Sequence, residues 1–266
     1  VPGFAPARRL HDLLCEKPAA VVPAKDRVTE SRLLDVHASV PEQLAARGLW
    51  QPGRPLRLHL GCGEQHFDGY VNIDYPPSEH TVMNVAADVF AEINALHFPE
   101  GTVDEIRLHH VFEHFSRVNA LALLTRWHRW LKVGGRLHIE TPDLMGCAQV
   151  LVSGAPWRQK MAMVRHMAGC QSAAWAYHID HWFPERFEHT LTALGFADVQ
   201  TRSVAWPHWP HLPNVHAIAT KAEHLSPEAL LKAAEALLWE STVADAEKPT
   251  YEVWRRDLRT LLAETP

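Results

Sequence analysis

LRLHLGCGEQHFDGYVNID, residues 56–74, reads as strand, glycine turn, strand and carboxylate in direct succession. Leu56, Leu58 and Leu60 alternate with Arg57 and His59, the period of a strand with one buried face. The alternation stops at Gly61-Cys62-Gly63, where glycines let the backbone turn sharply and leave main-chain N–H groups open to a ligand. Tyr70-Val71-Asn72-Ile73 is a second short strand, and Asp74 closes it. An acid at that place, beside a glycine turn at the C-terminal ends of parallel strands, fits a nucleotide-type pocket in which the carboxylate accepts from a ribose diol.

A dinucleotide site would want Gly-x-Gly-x-x-Gly opening a helix, with the acid about 20 residues on. Here His66 holds the third glycine position and the unit leaves little room for a helix. No pyrophosphate cradle is evident, so a mononucleoside cofactor without phosphates fits better, and S-adenosylmethionine is the candidate. The plain alternative is a strand–turn–strand with a surface aspartate. LHLGCG…GYVNID resembles the first motif of class I S-adenosylmethionine-dependent methyltransferases, in the short-linker form of the methyltransferase type 11 group. Two later stretches also resemble that group: His97-Phe98-Pro99-Glu100-Gly101-Thr102-Val103-Asp104-Glu105-Ile106, and Leu131-Lys132-Val133-Gly134-Gly135, where Val133 replaces the family's proline. The resemblance spans roughly residues 54–221.

The chain has 266 residues, enough for a sizeable core. Its formal charge of −5 gives no basic footprint, which argues against nucleic acid as a partner. No apolar run approaches the roughly 20 residues that span a bilayer. No signal peptide is expected from the first residues, and Val1 fits a piece of a longer chain. Cys15, Cys62, Cys147 and Cys170 are scattered, without Cys-x-x-Cys, which argues against a zinc ribbon or disulfide framework and for a reduced cytoplasm. The 19 histidines beside ten tryptophans suggest a polar-aromatic pocket.

Residues 1–53 read as a helical N-terminal extension, with amphipathic pieces at Ala7–Leu14 and Ser31–Arg47 and Pro52-Gly53 as its end. The central unit is 54–221. After Asp74 a third strand is expected at Thr81–Val85, a fourth at Glu105–His109 and a fifth at Arg136–Glu140. Between the last two, Leu121, Leu124, His128 and Leu131 recur at helical steps and predict a helix over Phe115–Lys132, stopped by Gly134. Residues 144–182 read as a helical insertion over the pocket. A helix through Phe183–Leu194 ends at Gly195, and Val199–Val204 and Val215–Thr220 close the sheet. From Ser226-Pro227-Glu228 the chain is helical again, with Trp254, Leu258, Leu261 and Leu262 striping a last helix. Alternating strands and helices imply an α/β fold. The expectation is a Rossmann-like, mostly parallel seven-stranded sheet with helices on both faces, a lid at 144–182 and helical extensions at both ends. The end helices (residues 222–266 at the C-terminus) would cap the sheet, form a homodimer contact or dock a partner.

The resemblance assigns the cofactor to Leu60, Gly61, Cys62, Gly63, Asp74, Asp88 and His109. Within it Asp88 takes the place beside adenine, with a helix N-cap as its alternative, and His109 offers backbone to the methionine end. His110-Val111-Phe112-Glu113-His114 would put three polar side chains on one helical face at i, i+3 and i+4. His-x-x-Glu-His is an inverzincin zinc motif. It is also near the Glu-x-x-Glu-His by which some methyltransferases hold magnesium, and similar to a metal-free His-x-Leu-Glu-His of the type 11 group. The metal-free reading is preferred, with His110, Glu113 and His114 as a metal set in the alternative. Either way His110 is the candidate general base, since histidine accepts protons near neutral pH, and Glu113 and His114 complete the catalytic group. Asp143, His178, His181, Trp206 and His208 are candidates for a small or saccharide acceptor, tryptophan for stacking on a sugar and histidine for its hydroxyls. The expected activity is methyl transfer from S-adenosylmethionine to oxygen. The competing readings are a nicotinamide-dependent oxidoreductase, a metallohydrolase and a non-catalytic relative.

Overall fold

A computed structural model of the chain describes residues 32–76, 83–206 and 209–263. Its strands are β1 (Arg57–Leu60), β2 (Val71–Asp74), β3 (Val89–Phe90), β4 (Val103–His109), β5 (Leu131–Pro142), β6 (Phe196–Trp206) and β7 (Trp209–Lys221). They form one sheet in the order β3-β2-β1-β4-β5-β7-β6. Neighbours are parallel except β7, which runs antiparallel to both β5 and β6. From β1 the chain moves outward to β2 and β3, then returns to lay β4 on the other side of β1. That reversal opens a crevice at the C-terminal ends of β1 and β4.

The helices are α1 (Val40–Ala46), α2 (Arg117–Trp130), α3 (Leu144–Val152), α4 (Trp157–Ala168), α5 (Pro184–Ala193), α6 (Pro227–Glu240) and α7 (Lys248–Ala263). α2 begins at Ser116, whose hydroxyl accepts from Asn119 N. It is buried on almost every side, including His128 and Trp127, which are fully buried. A helix buried on nearly every side must be covered on its outer side as well. Here α6 and α7 pack on α2 and supply that cover, with Arg117 stacked over Trp254 at 4.7 Å. Trp127→Ala would leave a cavity in this layer. It should cost about 3–5 kcal/mol, read as a fall in the urea midpoint at unchanged slope. A loss below about 1 kcal/mol would contradict this packing.

The opposite side of the central strands is polar. His59 of β1 sits beside Asn72 of β2 and Arg107 of β4, and Arg107 beside His138 of β5. The connection from β1 to β2 carries no helix; instead Phe67 stacks on His59 at 4.4 Å and the Tyr70 hydroxyl donates to Glu105. Arg107 lies over both rings, and His138 packs on His216 at 5.5 Å. So His59, His138 and His216, part of the histidine excess, line the sheet rather than a pocket.

Several expected boundaries move. Of the expected third strand, residues 81–82 lie outside the described ones and 83–85 are not extended pairs; the strand is Val89–Phe90. α2 stops at Trp130, because Leu131 turns extended (ψ 141°) and enters β5 at once. Gly134 therefore lies inside β5, not at a helix end, and Lys132 is held by Asp104 at 2.7 Å. The insertion at 144–182 is helical only through α3 and α4; Gly169 (φ 78°) breaks it, and the rest is irregular up to α5. Ala7–Leu14 lies outside the described residues, and of 31–47 only Val40–Ala46 is α-helical. Among the described residues no helix is long and apolar enough to cross a membrane.

Candidate active site

At the end of β1 the chain bends through Gly61 (φ 67°) and Gly63 (φ 54°), conformations that glycine adopts without a Cβ penalty. Gly61 N donates to Ile73 O at 2.8 Å, and Gly63 N to Asp74 Oδ2 at 2.6 Å. The other carboxylate oxygen accepts from Tyr75 N at 2.7 Å. The glycine turn and the acid closing β2 are thus one unit. A Cβ on Gly61 would overlap Val111, whereas Gly63 has only Met83 Sδ within reach, at 3.7 Å. Burial, with Asp74 beside it, pushes the Cys62 thiol up to about 12, so it stays a neutral thiol.

Gly61, Cys62, Gly63 and Asp74 line one end of a cavity of about 1500 Å³. Ala91, Ile93 and Asn94, just after β3, line the same end. Leu60 does not; it is fully buried in the core below the turn. Asp88 does not line it either. Its Oδ2 accepts from Asn72 N at 2.8 Å and Asn72 Nδ2 at 3.0 Å, and His66 Nε2 lies 3.1 Å from Oδ1. The carboxylate bridges the start of β3 to β2 and caps no helix.

The neighbouring wall is built where β4 stops, beside the glycine turn. His109 lines the cavity, its ring held at about 4 by burial, with Glu140 opposing. His110 follows with φ 53°, a left-handed backbone uncommon outside glycine and found where the surroundings fix it. Its N–H donates to Glu140 O at 2.9 Å. Its Nδ1 lies 3.2 Å from Glu113 Oε1 and its Nε2 3.6 Å from Glu140 Oε1. The ring meets Trp206 edge-on at 4.2 Å between centroids. Burial disfavours the imidazolium, but the flanking Glu113 and Glu140 outweigh it and raise the His110 pKa. Residues 112–114 form a single 3₁₀ turn, and His110 lies outside it, so the motif is not the helix that an inverzincin site requires.

Glu113 is 1% exposed. Burial opposes its charge, yet His110, His114 and His178 hold its carboxyl down at about 2. His114 lines the cavity; His178 packs against it edge-on at 4.8 Å and is held at about 4 by burial. Of the remaining candidates, Trp206 lines the cavity and His208 falls outside the described residues. Asp143 is the N-cap of α3, accepting from Met145 N at 3.0 Å, and does not reach the cavity. His181 is off the cavity too; its carbonyl accepts from Arg186.

Sequence reading missed one wall. Arg158, Gln159, Ala162, Arg165 and His166 of α4 line the cavity. They recur at steps of one, three and four, one face of a helix, and that polar stripe was available in the sequence. His166 Nε2 donates to Asn214 Oδ1 at 2.9 Å and to Pro213 O at 3.2 Å. Glu140, at the tip of β5, and Trp175, beyond α4, were missed as well.

Residues 58–139 match the family model described as a methyltransferase domain, of the methyltransferase type 11 group. Nothing among curated proteins matches. Solved structures that the chain is similar to include the S-adenosylmethionine-dependent methyltransferase SibL in its apo form, with 19% identity and a TM-score of 0.40 over 68% of this chain. The chain spans 56% of SibL. A SAM-dependent methyltransferase from Archaeoglobus fulgidus matches at 15% identity and TM-score 0.41, over 68% of this chain and 93% of that one. Burkholderia thailandensis 1,6-didemethyltoxoflavin-N1-methyltransferase, solved with 1,6-didemethyltoxoflavin and S-adenosylhomocysteine, matches at 16% and 0.43, over 84% and 93%.

Proposed function

We propose that this chain, a class I S-adenosylmethionine-dependent methyltransferase, methylates a hydroxyl of a small or saccharide acceptor with His110 as the general base. The observation that carries the reading is one cavity whose lining brings the glycine turn, Asp74 and His110 together. Its volume of about 1500 Å³ exceeds the roughly 300–1,000 Å³ of single-ligand pockets and leaves room for donor and acceptor together.

Gly61–Gly63 would bring backbone close to the methionine part of the cofactor, and Asp74 would accept from the ribose. When bound, S-adenosylmethionine supplies a methyl group already activated on a sulfonium, so the protein's share is positioning and proton removal. His110 Nε2 would take the acceptor's hydroxyl proton, the acceptor oxygen gaining the methyl carbon as its bond to sulfur breaks and S-adenosylhomocysteine is left. Glu113 and Glu140 then stabilise the imidazolium that results. Trp206 and Trp175 offer faces for a sugar ring, and Arg158 and Arg165 offer donors for its oxygens or for an anionic substituent. Residues 144–182 act as the wall over the acceptor, within a catalytic unit of about 54–221.

Calorimetric titration tests the cofactor half. S-adenosylmethionine should bind and NAD should not; Asp74→Ala should weaken S-adenosylmethionine by roughly 10–100-fold, the worth of a hydrogen bond to a charged group. Tighter binding of NAD than of S-adenosylmethionine would discard the reading. A panel of hydroxyl and amine acceptors tests the other half, and turnover only on amines would overturn the oxygen assignment.

A further inference from the structure

We propose that Glu113, His114 and His178 form a binding site for a divalent transition-metal ion at the edge of the cavity. The proposal goes beyond the methyl-transfer reading and can be tested without turnover. One donor atom from each residue lies within 4.8 Å of the others. Bonds of about 2.0–2.2 Å to a tetrahedral ion set donor separations of roughly 3.3 Å, so small side-chain rotations bring them into range.

The carboxylate is the strongest observation. Glu113 is 1% exposed, and neither of its oxygens accepts an aligned hydrogen bond among the described residues. A buried carboxylate with unused lone pairs is costly unless a cation shares them. His110 Nδ1 lies 3.2 Å from Oε1, the oxygen that His178 Nε2 also approaches, so an ion would either share Oε1 or take Oε2.

The histidines are arranged as ligands are. His114 Nδ1 donates to Tyr177 O at 2.9 Å. That bond fixes the tautomer and leaves Nε2 with a bare lone pair, the usual support for a metal-binding imidazole. His178 Nε2 lies 3.8 Å from Glu113 Oε1, and its buried Nδ1 has no hydrogen-bond partner. The two segments are clamped together by backbone: Ile179 N and Asp180 N both donate to Glu113 O, at 2.8 and 3.3 Å. Residues far apart in the chain are therefore held as one cluster before any ion arrives.

Two imidazoles and one carboxylate suit Zn²⁺, Mn²⁺ or Fe²⁺ better than Mg²⁺ or Ca²⁺, which prefer all-oxygen shells. Three protein ligands leave at least one position open. Because His114 belongs to the cavity wall, that position is reachable by an oxygen of a bound acceptor.

Metal-stripped protein should be titrated with Zn²⁺ against a chromogenic chelator. One tight equivalent is expected, not displaced by millimolar Mg²⁺. His178→Ala and Glu113→Gln should each weaken that equivalent by ~100-fold, with folding checked by circular dichroism. His189→Ala and His224→Ala, at exposed sites, should leave it unchanged. Co²⁺ loading should give visible d–d bands in the parent protein that His178→Ala abolishes, an independent readout if Glu113→Gln fails to fold. Absence of a saturable equivalent, its survival in both ligand variants, or preference for Mg²⁺ would overturn the assignment.

Discussion

His110→Ala is expected to lower kcat by about 10²–10⁴-fold, the share that a positioned general base contributes. The KM for S-adenosylmethionine should stay within about threefold, since an interaction used only in the transition state affects kcat and not ground-state binding. The effect should be large because His110 lines the cavity between Glu113 and Glu140, with an Nε2 that has no hydrogen-bond partner among the described residues. Removing the ring also strips Glu113 of its nearest counter-charge. Breaking such a buried pair from one side costs roughly 3–5 kcal/mol, so the variant should melt at a lower temperature. His110→Gln keeps a polar group there and separates the two effects: it should recover part of the stability and little of kcat. A kcat within threefold of the parent for both variants would remove His110 from the chemistry.

Gly61→Ala should disable the cofactor end. At φ 67° an L-residue is strained by roughly 1–2 kcal/mol, and the added Cβ would overlap the side chain of Val111. Overpacking of this kind costs about 1–3 kcal/mol more. The strain is relieved only by moving the glycine turn or residue 111. The first shifts the backbone that faces the cofactor; the second shifts the residue next to His110. S-adenosylmethionine binding should weaken by ~100-fold, measured by calorimetry on protein whose fold is checked by circular dichroism. Gly134→Ala is the control. It has a similar φ of 82° but nothing within 4 Å of the new Cβ, so it should lose about 1 kcal/mol of stability and keep cofactor affinity. Equal affinity in the Gly61 and Gly134 variants would show that the turn does not hold the cofactor.

The local pattern around residues 56–74 carried most of the fold. Alternation gave β1 and β2, the glycines gave the turn, and the helical stripe at 117–130 gave the central helix. These signals are legible because each comes from neighbours in sequence: one face buried, one residue able to turn. Boundaries were legible only in part. Leu131 is apolar at a helical step, yet pairing with Val103 draws it into β5, since a strand register satisfies its backbone at once. The contacts of Asp88 were not legible for a similar reason: a carboxylate next to a strand looks the same in sequence whether or not it accepts from a neighbouring strand's N–H, as Asp88 does from Asn72.

By itself the sequence determined the glycine turn, the acid that closes the second strand, the order of the elements and the presence of His110, Glu113 and His114 beside the fourth strand. Only the tertiary structure decided which groups meet them. Trp206, Arg165 and His166, which face the cavity, and His178, which meets Glu113 and His114, come from segments well separated from the glycine turn, and their placement depends on how α4 and the loop after it pack across β7 and the turn at 112–114. The physical reason is that periodicity records burial within one element. Convergence of side chains from different elements depends on packing between them, which leaves no period in the chain.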